Sequence, residues 1–154
     1  MTPEVMRQAI MLSIENVRRG GGPFAAVIVK NGGVVSAGVN QVTTANDPTA
    51  HAEIVAIREG CLRLGHFELQ GCEMYATCEP CPMCLGAIYW SRIDRVYYGN
   101  TRADAAVIGF DDSFIYDQLC LPVEGRSLPL IPCLREEALE AFREWERKSD
   151  RIRY

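Results

Sequence analysis

A chain of 154 residues, 48% hydrophobic and 23% charged, is long enough to bury a core without disulfide staples and too ordinary in composition to be disordered or fibrous. A net charge of −4, with the basic residues scattered among acids, argues against a protein that grips a nucleic acid backbone along a basic stripe. The seven cysteines are odd in number and lack disulfide-framework spacing; with no secretory pattern at the N-terminus, they read as reduced thiols of a cytoplasmic protein.

In chain order, residues 2–17 carry an amphipathic helix pattern that includes Glu4 and Glu15. A loop, Gly20-Gly21-Gly22-Pro23, leads to a strand from Phe24 to Lys30, a turn at Asn31-Gly32-Gly33 and a second strand from Val34 to Asn40, which together predict a hairpin. The apolar run from Phe24 to Val29 is far too short to span a bilayer. Asp47-Pro48-Thr49 looks like a helix start, with Asp47 or Thr49 as cap, for a helix from His51 to about Leu64. A strand near 74–77, a helix from about Pro80 to Trp90 and a strand at 95–99 follow. Residues 127–134 supply a candidate fifth strand, and a last helix puts Leu134, Ala138, Ala141, Phe142 and Trp145 on one face. This alternation predicts one α/β domain spanning residues 1–154, a three-layer α/β/α sandwich on a mixed five-stranded sheet.

Two segments carry the chemistry: His51-Ala52-Glu53 and Pro80-Cys81-Pro82-Met83-Cys84. Cys81 and Cys84, three residues apart at a helix start, present two sulfurs to one point. The helix dipole there favours the thiolate that a metal requires. With His51 they make three ligands for zinc, and three protein ligands leave the fourth tetrahedral position to water, the arrangement of a catalytic site. Glu53, two residues from His51, reads as a proton carrier beside that water. The competing reading is a structural zinc site closed by Cys78; Glu79 precedes Pro80 and is driven extended, so Cys78 ends a strand rather than extending the helix. The pairing of H-x-E with P-C-x-x-C is the signature of zinc-dependent nucleobase deaminases.

On these residues the chain resembles the cytidine-deaminase-like zinc hydrolases, and among them the bacterial guanine deaminase family. The resemblance is carried by Gly21-Gly22-Pro23-Phe24, Asn46 to Glu53, Cys78 to Trp90, Gly109-Phe110-Asp111-Asp112-Ser113-Phe114-Ile115-Tyr116 and the terminal Tyr154. It implies hydrolytic deamination of guanine to xanthine and ammonia in purine catabolism or salvage, with one Zn2+ per chain. It also implies that Phe24 stacks on the purine, Asn40 hydrogen-bonds it, Trp90 walls the pocket, and Asp112 contacts substrate and shuttles a second proton. Tyr154 would close the pocket from a segment, residues 135–154, exchanged across a homodimer. Guanosine, an amino-triazine, cytosine, cytidine and tRNA adenosine are the alternative substrates.

Overall fold

Helix α1 (Thr2–Arg18) begins with Glu4 in its first turn and ends on Arg18, charges that complement the helix dipole at both ends. Its inward residues Val5 and Ala9 pack on Val27, Val29 and Tyr75. The computed structural model describes residues 2–154. Gly20, at φ +87, reverses the chain out of α1 into the sheet.

Strands β1 (Ala25–Lys30) and β2 (Gly33–Val39) pair antiparallel around Asn31 and Gly32. Both turn residues have positive φ, 50° and 81°, as a two-residue type I′ hairpin demands. β1 is a run of apolar residues because it is covered on both faces: Ala26 and Ile28 point one way, Val27 and Val29 the other. Ile28 is fully buried, and its truncation to alanine is worth roughly 2–5 kcal/mol. β3 (Cys72–Cys78) lies antiparallel to β1, and β4 (Arg95–Asn100) parallel to β3, giving a mixed sheet in the order β2-β1-β3-β4.

After β2 come a short helix, α2 (Val42–Ala45), and α3 (Ala52–Leu64). α3 covers the sheet face opposite α1 and shares a core of Ala52, Ala56, Ile28, Met74 and Ile88 with α4 (Pro82–Trp90), the crossover between β3 and β4. Two β2 residues bring α3 close to the strand. Gly38 has no room for a side chain, since a Cβ would stand 2.3 Å from the Ala52 carbonyl oxygen and 2.6 Å from the Ala56 nitrogen. Ser36, buried, donates its hydroxyl to the Ala56 carbonyl at 2.7 Å. Helices therefore flank both faces of the sheet, as expected.

The expected fifth strand is absent among the described residues. The 127–134 segment is irregular because Pro129 and Pro132 remove two ladder donors from a stretch of eight. Short helices α5 (Arg102–Val107) and α6 (Ser113–Cys120) and a 3-10 turn at Val123–Gly125 follow β4; α7 (Arg135–Arg147) is the expected last helix. The chain forms two compact units, one ending at Asp112 and the other running Ser113–Tyr154. Among the described residues, no helix is long and apolar enough to cross a membrane.

Candidate active site

Antiparallel β1 and parallel β4 bring one edge of the sheet to a common point: the start of β1 after Phe24, the end of β2 before Asn40, and the ends of β3 and β4. The Ala25 amide donates to Thr77 Oγ1 at 3.0 Å, tying the first of these to the third. Beyond β3 the Glu79 amide donates to the Asn100 carbonyl at 2.9 Å. The Glu79 carboxylate accepts from the Arg102 amide at 3.1 Å, at the start of α5, whose N-terminus is closed by a Thr101–Asp104 capping box.

Both metal-binding segments end at helix N-caps. Cys81 precedes Pro82, which drives it extended, at φ −67° and ψ 169°. Pro82, not Pro80, therefore supplies the first-turn proline of α4, and Cys84 is its third residue. Across from it, Asp47 does not cap α3: its Oδ1 accepts from the Thr49 amide at 2.8 Å and the Thr49 hydroxyl at 2.7 Å, closing a local turn. Thr49 does not cap it either, because His51 itself is the N-cap, at φ −66° and ψ 155°, with Glu53 as the second helical residue.

Two helix starts thus face each other, and three donor atoms meet between them. Cys81 Sγ and Cys84 Sγ each lie 3.5 Å from His51 Nδ1, and the three donors fall within 4.8 Å of one another. A tetrahedral zinc ion with Zn–S about 2.3 Å and Zn–N about 2.05 Å sets sulfur and nitrogen about 3.6 Å apart, so the donor set fits that ion through Nδ1. Among the described residues, this is the one cluster of three or more histidine, cysteine or acidic side chains with such spacing. Cys78 stands outside it and donates its thiol to the Thr101 carbonyl at 3.6 Å. Glu53 also stands outside it, which leaves its carboxylate to other work.

The electrostatics are those of a ligand set. The Cys84 thiol hydrogen-bonded to Cys81 holds Cys81 down to about 4, with His51 assisting. The proton they share rests on Cys84, pushed up by the Cys81 sulfur and by burial. The Cys81 hydrogen bond raises His51. Burial is the main force raising the Glu53 carboxyl, with the Cys81 charge adding; Glu53 is 8% exposed. Burial first, then the Cys81 charge, raises Asp112, which puts that aspartate within the field of the metal ligands. Burial and the Glu53 charge push Cys78 up to about 11, an unreactive thiol.

Of the expected substrate residues, Phe24 and Asn40 stand side by side at the open edge of the sheet. Asn40 is buried, its amide donates to the Phe24 carbonyl at 3.0 Å, and its Oδ1 accepts from the Val42 amide at 3.3 Å. Phe110 meets the Phe24 ring edge-to-face, centroids 4.9 Å apart at 89°; only its place beside Asp111 in the family pattern marked it in the sequence. Trp90 is not brought to the ligand cluster in the same way: it ends α4, about 9 Å along the axis from Cys84, and is 62% exposed. Tyr154 belongs to the second unit and is 73% exposed.

Residues 2–100 match the family described as cytidine and deoxycytidylate deaminase zinc-binding region. The chain is 49% identical over 150 residues to the guanine deaminase of Bacillus subtilis strain 168, covering 97% of this chain and 96% of that one. It superimposes on the X-ray structure of guanine deaminase from Bacillus subtilis with a TM-score of 0.96 at 48% identity, over 99% of this chain and 98% of the other. A tRNA-specific adenosine deaminase of Aquifex aeolicus is 50% identical, but over 76 residues, about half of each chain. The family's zinc-binding region and the His51, Cys81 and Cys84 cluster together assign one zinc ion to each chain. With the metal ligands at two helix starts and the match running through both, the chain belongs to the cytidine and deoxycytidylate deaminase zinc-binding family and is a zinc-dependent hydrolase.

Proposed function

We propose that this chain hydrolyses guanine to xanthine and ammonia in the cytoplasm, as a single catalytic domain over residues 1–154. The observation that carries the reading is the reach of the likeness. Similarity to the guanine deaminase extends over 97% of the chain, through Asp112 and the last helix, whereas similarity to tRNA-specific adenosine deaminases covers from about half of it to 71%.

Zinc held by His51, Cys81 and Cys84 would acidify a water molecule so that it is a nucleophile near neutral pH. The rest belongs to the chain's own groups. Glu53, whose burial favours the proton-bearing form, takes one proton from the water and delivers it to ring nitrogen 3 as oxygen bonds to carbon 2. It then takes the proton of the new carbon 2 hydroxyl and passes it to the departing amino group as the carbonyl forms and ammonia leaves. A carboxyl with a raised pKa suits both directions of transfer. Phe24, braced edge-on by Phe110, offers a face to the purine. With its Oδ1 turned to Val42, Asn40 has its Nδ2 to donate to a base acceptor. Asp112 accepts from ring or exocyclic N–H groups and serves as the second proton shuttle.

The same reading has residues 135–154 exchanged across a homodimer, Tyr154 closing the partner's pocket beside Trp90. It is supported by the apolar stripe of α7, where Phe142 is 70% and Trp145 42% exposed. Ammonia release by zinc-loaded protein from guanine, guanosine, adenine, cytosine and cytidine tests the substrate. Guanine is expected to be preferred; equal or faster turnover of cytidine overturns the proposal.

A further inference from the structure

Asn16 lies in the last turns of α1, far in sequence from every motif discussed above. Its side-chain amide donates one N–H to the Gly22 carbonyl at 2.8 Å and the other to the Asn40 carbonyl at 2.8 Å. Both acceptors are carbonyls, so the nitrogen must face them and both of its protons are used. Gly22 also receives the Phe24 amide at 2.9 Å, and the Asn40 amide reaches back to the Phe24 carbonyl at 3.0 Å. One planar amide therefore joins the turn that delivers Phe24 to the strand end that delivers Asn40.

The glycines on that turn are cut to fit it. A Cβ on Gly21 would stand 2.4 Å from Asn16 Nδ2, 2.6 Å from its Oδ1 and 2.7 Å from its Cγ, with no nearer neighbours. One on Gly22 would stand 3.0 Å from both the Asn40 Cγ and Oδ1. The Gly21 amide in turn donates to the Asn16 backbone carbonyl at 2.9 Å, so α1 and the turn hold each other.

We propose that Asn16 is a positioning residue: through two amide hydrogen bonds it sets the separation of Phe24 and Asn40, and with it the fit of the planar base between them. This rests on the guanine-deaminating reading above. Asn16 touches neither metal ligand nor proton carrier, so its effect falls on binding of the base rather than on the proton transfers.

The test is steady-state kinetics of zinc-loaded Asn16→Asp and Asn16→Ala on guanine, with zinc content and Tm measured alongside. Asn16→Asp keeps the shape but turns oxygen toward two carbonyl oxygens. Loss of two half-buried hydrogen bonds should raise KM about tenfold to a hundredfold with a smaller change in kcat. Gly21→Ala, which displaces the amide, should do the same in the native background. In the Asn16→Ala background it should cost less than about twofold, because the atoms it met are gone. Unchanged KM in Asn16→Asp, or a Gly21→Ala cost undiminished without Asn16, overturns the inference; so does a loss that follows zinc content or Tm. Hydrogen exchange at the Phe24 and Asn40 amides gives a readout without substrate: Asn16→Asp should speed it about tenfold, and an unchanged rate refutes the clamp. Native protein that releases no ammonia from guanine instead refutes the functional reading, and leaves the exchange measurement to decide on Asn16.

Discussion

Gly38→Ala adds one methyl group where β2 runs under α3, and the atoms it meets are backbone. A Cβ at 2.3 Å from the Ala52 oxygen and 2.6 Å from the Ala56 nitrogen must retreat to about 3.4 Å, ordinary van der Waals contact, so strand and helix must part by about 1 Å. Overpacking of this kind costs roughly 1–3 kcal/mol. For a chain of this size that lowers Tm by about 2–4 °C per kcal/mol, or roughly 2–12 °C in all. Ala52 follows His51 and precedes Glu53, so the parting displaces a zinc ligand and the proton carrier together. A misplacement of about 1 Å at a catalytic group costs about a hundredfold in rate. Thermal melts, zinc analysis and guanine turnover of Gly38→Ala therefore move together, while Gly33→Ala, whose Cβ would meet nothing closer than 3.7 Å, serves as the neutral control. A Gly38→Ala protein with native Tm and more than half of native kcat/KM would refute the claim that strand contact sets the height of the catalytic helix.

Glu53→Gln keeps its zinc, since the carboxylate is no ligand, and loses turnover toward or beyond the upper end of about 10²–10⁴-fold; a tenth of native activity would sink the assignment. Cys81→Ser loses metal and stability together, read by elemental analysis and thermal melting. In the native chain, zinc binding must expel the proton held on Cys84 and leave His51 neutral, and both groups have raised pKa values; protons thus compete increasingly as pH falls. Zinc retained against a fixed chelator concentration should drop steeply from about pH 8 to about pH 6, and a flat profile would contradict this. Deleting residues 152–154 should leave folding and zinc intact while lowering activity, and mixing that chain with Glu53→Gln should restore part of it. Loss without restoration would place Tyr154 over its own chain's pocket.

The metal site was legible because ligand chemistry constrains spacing tightly: His51, Cys81 and Cys84 could be chosen from sequence alone. Their helical positions were not. Both Pro80 and Pro82 satisfy a first-turn rule, and only the observation that Cys81 precedes a proline would have moved the helix start to Pro82. Short apolar runs bounded by turn residues disclosed four strands, and the prolines at 129 and 132 already argued against a fifth. Asn16 left no trace. A polar residue near the end of an amphipathic helix looks like solvent-facing surface, and its partners are backbone carbonyls 6 and 24 residues away, which no side-chain pattern records.

The two N-cap positions have a thermodynamic consequence. A serine or aspartate at an N-cap contributes about 1 kcal/mol by satisfying a free backbone amide, yet His51 and Cys81 make no side-chain cap hydrogen bond. The chain gives up that local stability at two helices in order to aim its ligands, and a zinc ion held by His51, Cys81 and Cys84 would restore it. Without metal, α3 and α4 should therefore fray first from their starts, and a cap restored at position 51 would harden the empty protein while abolishing its use.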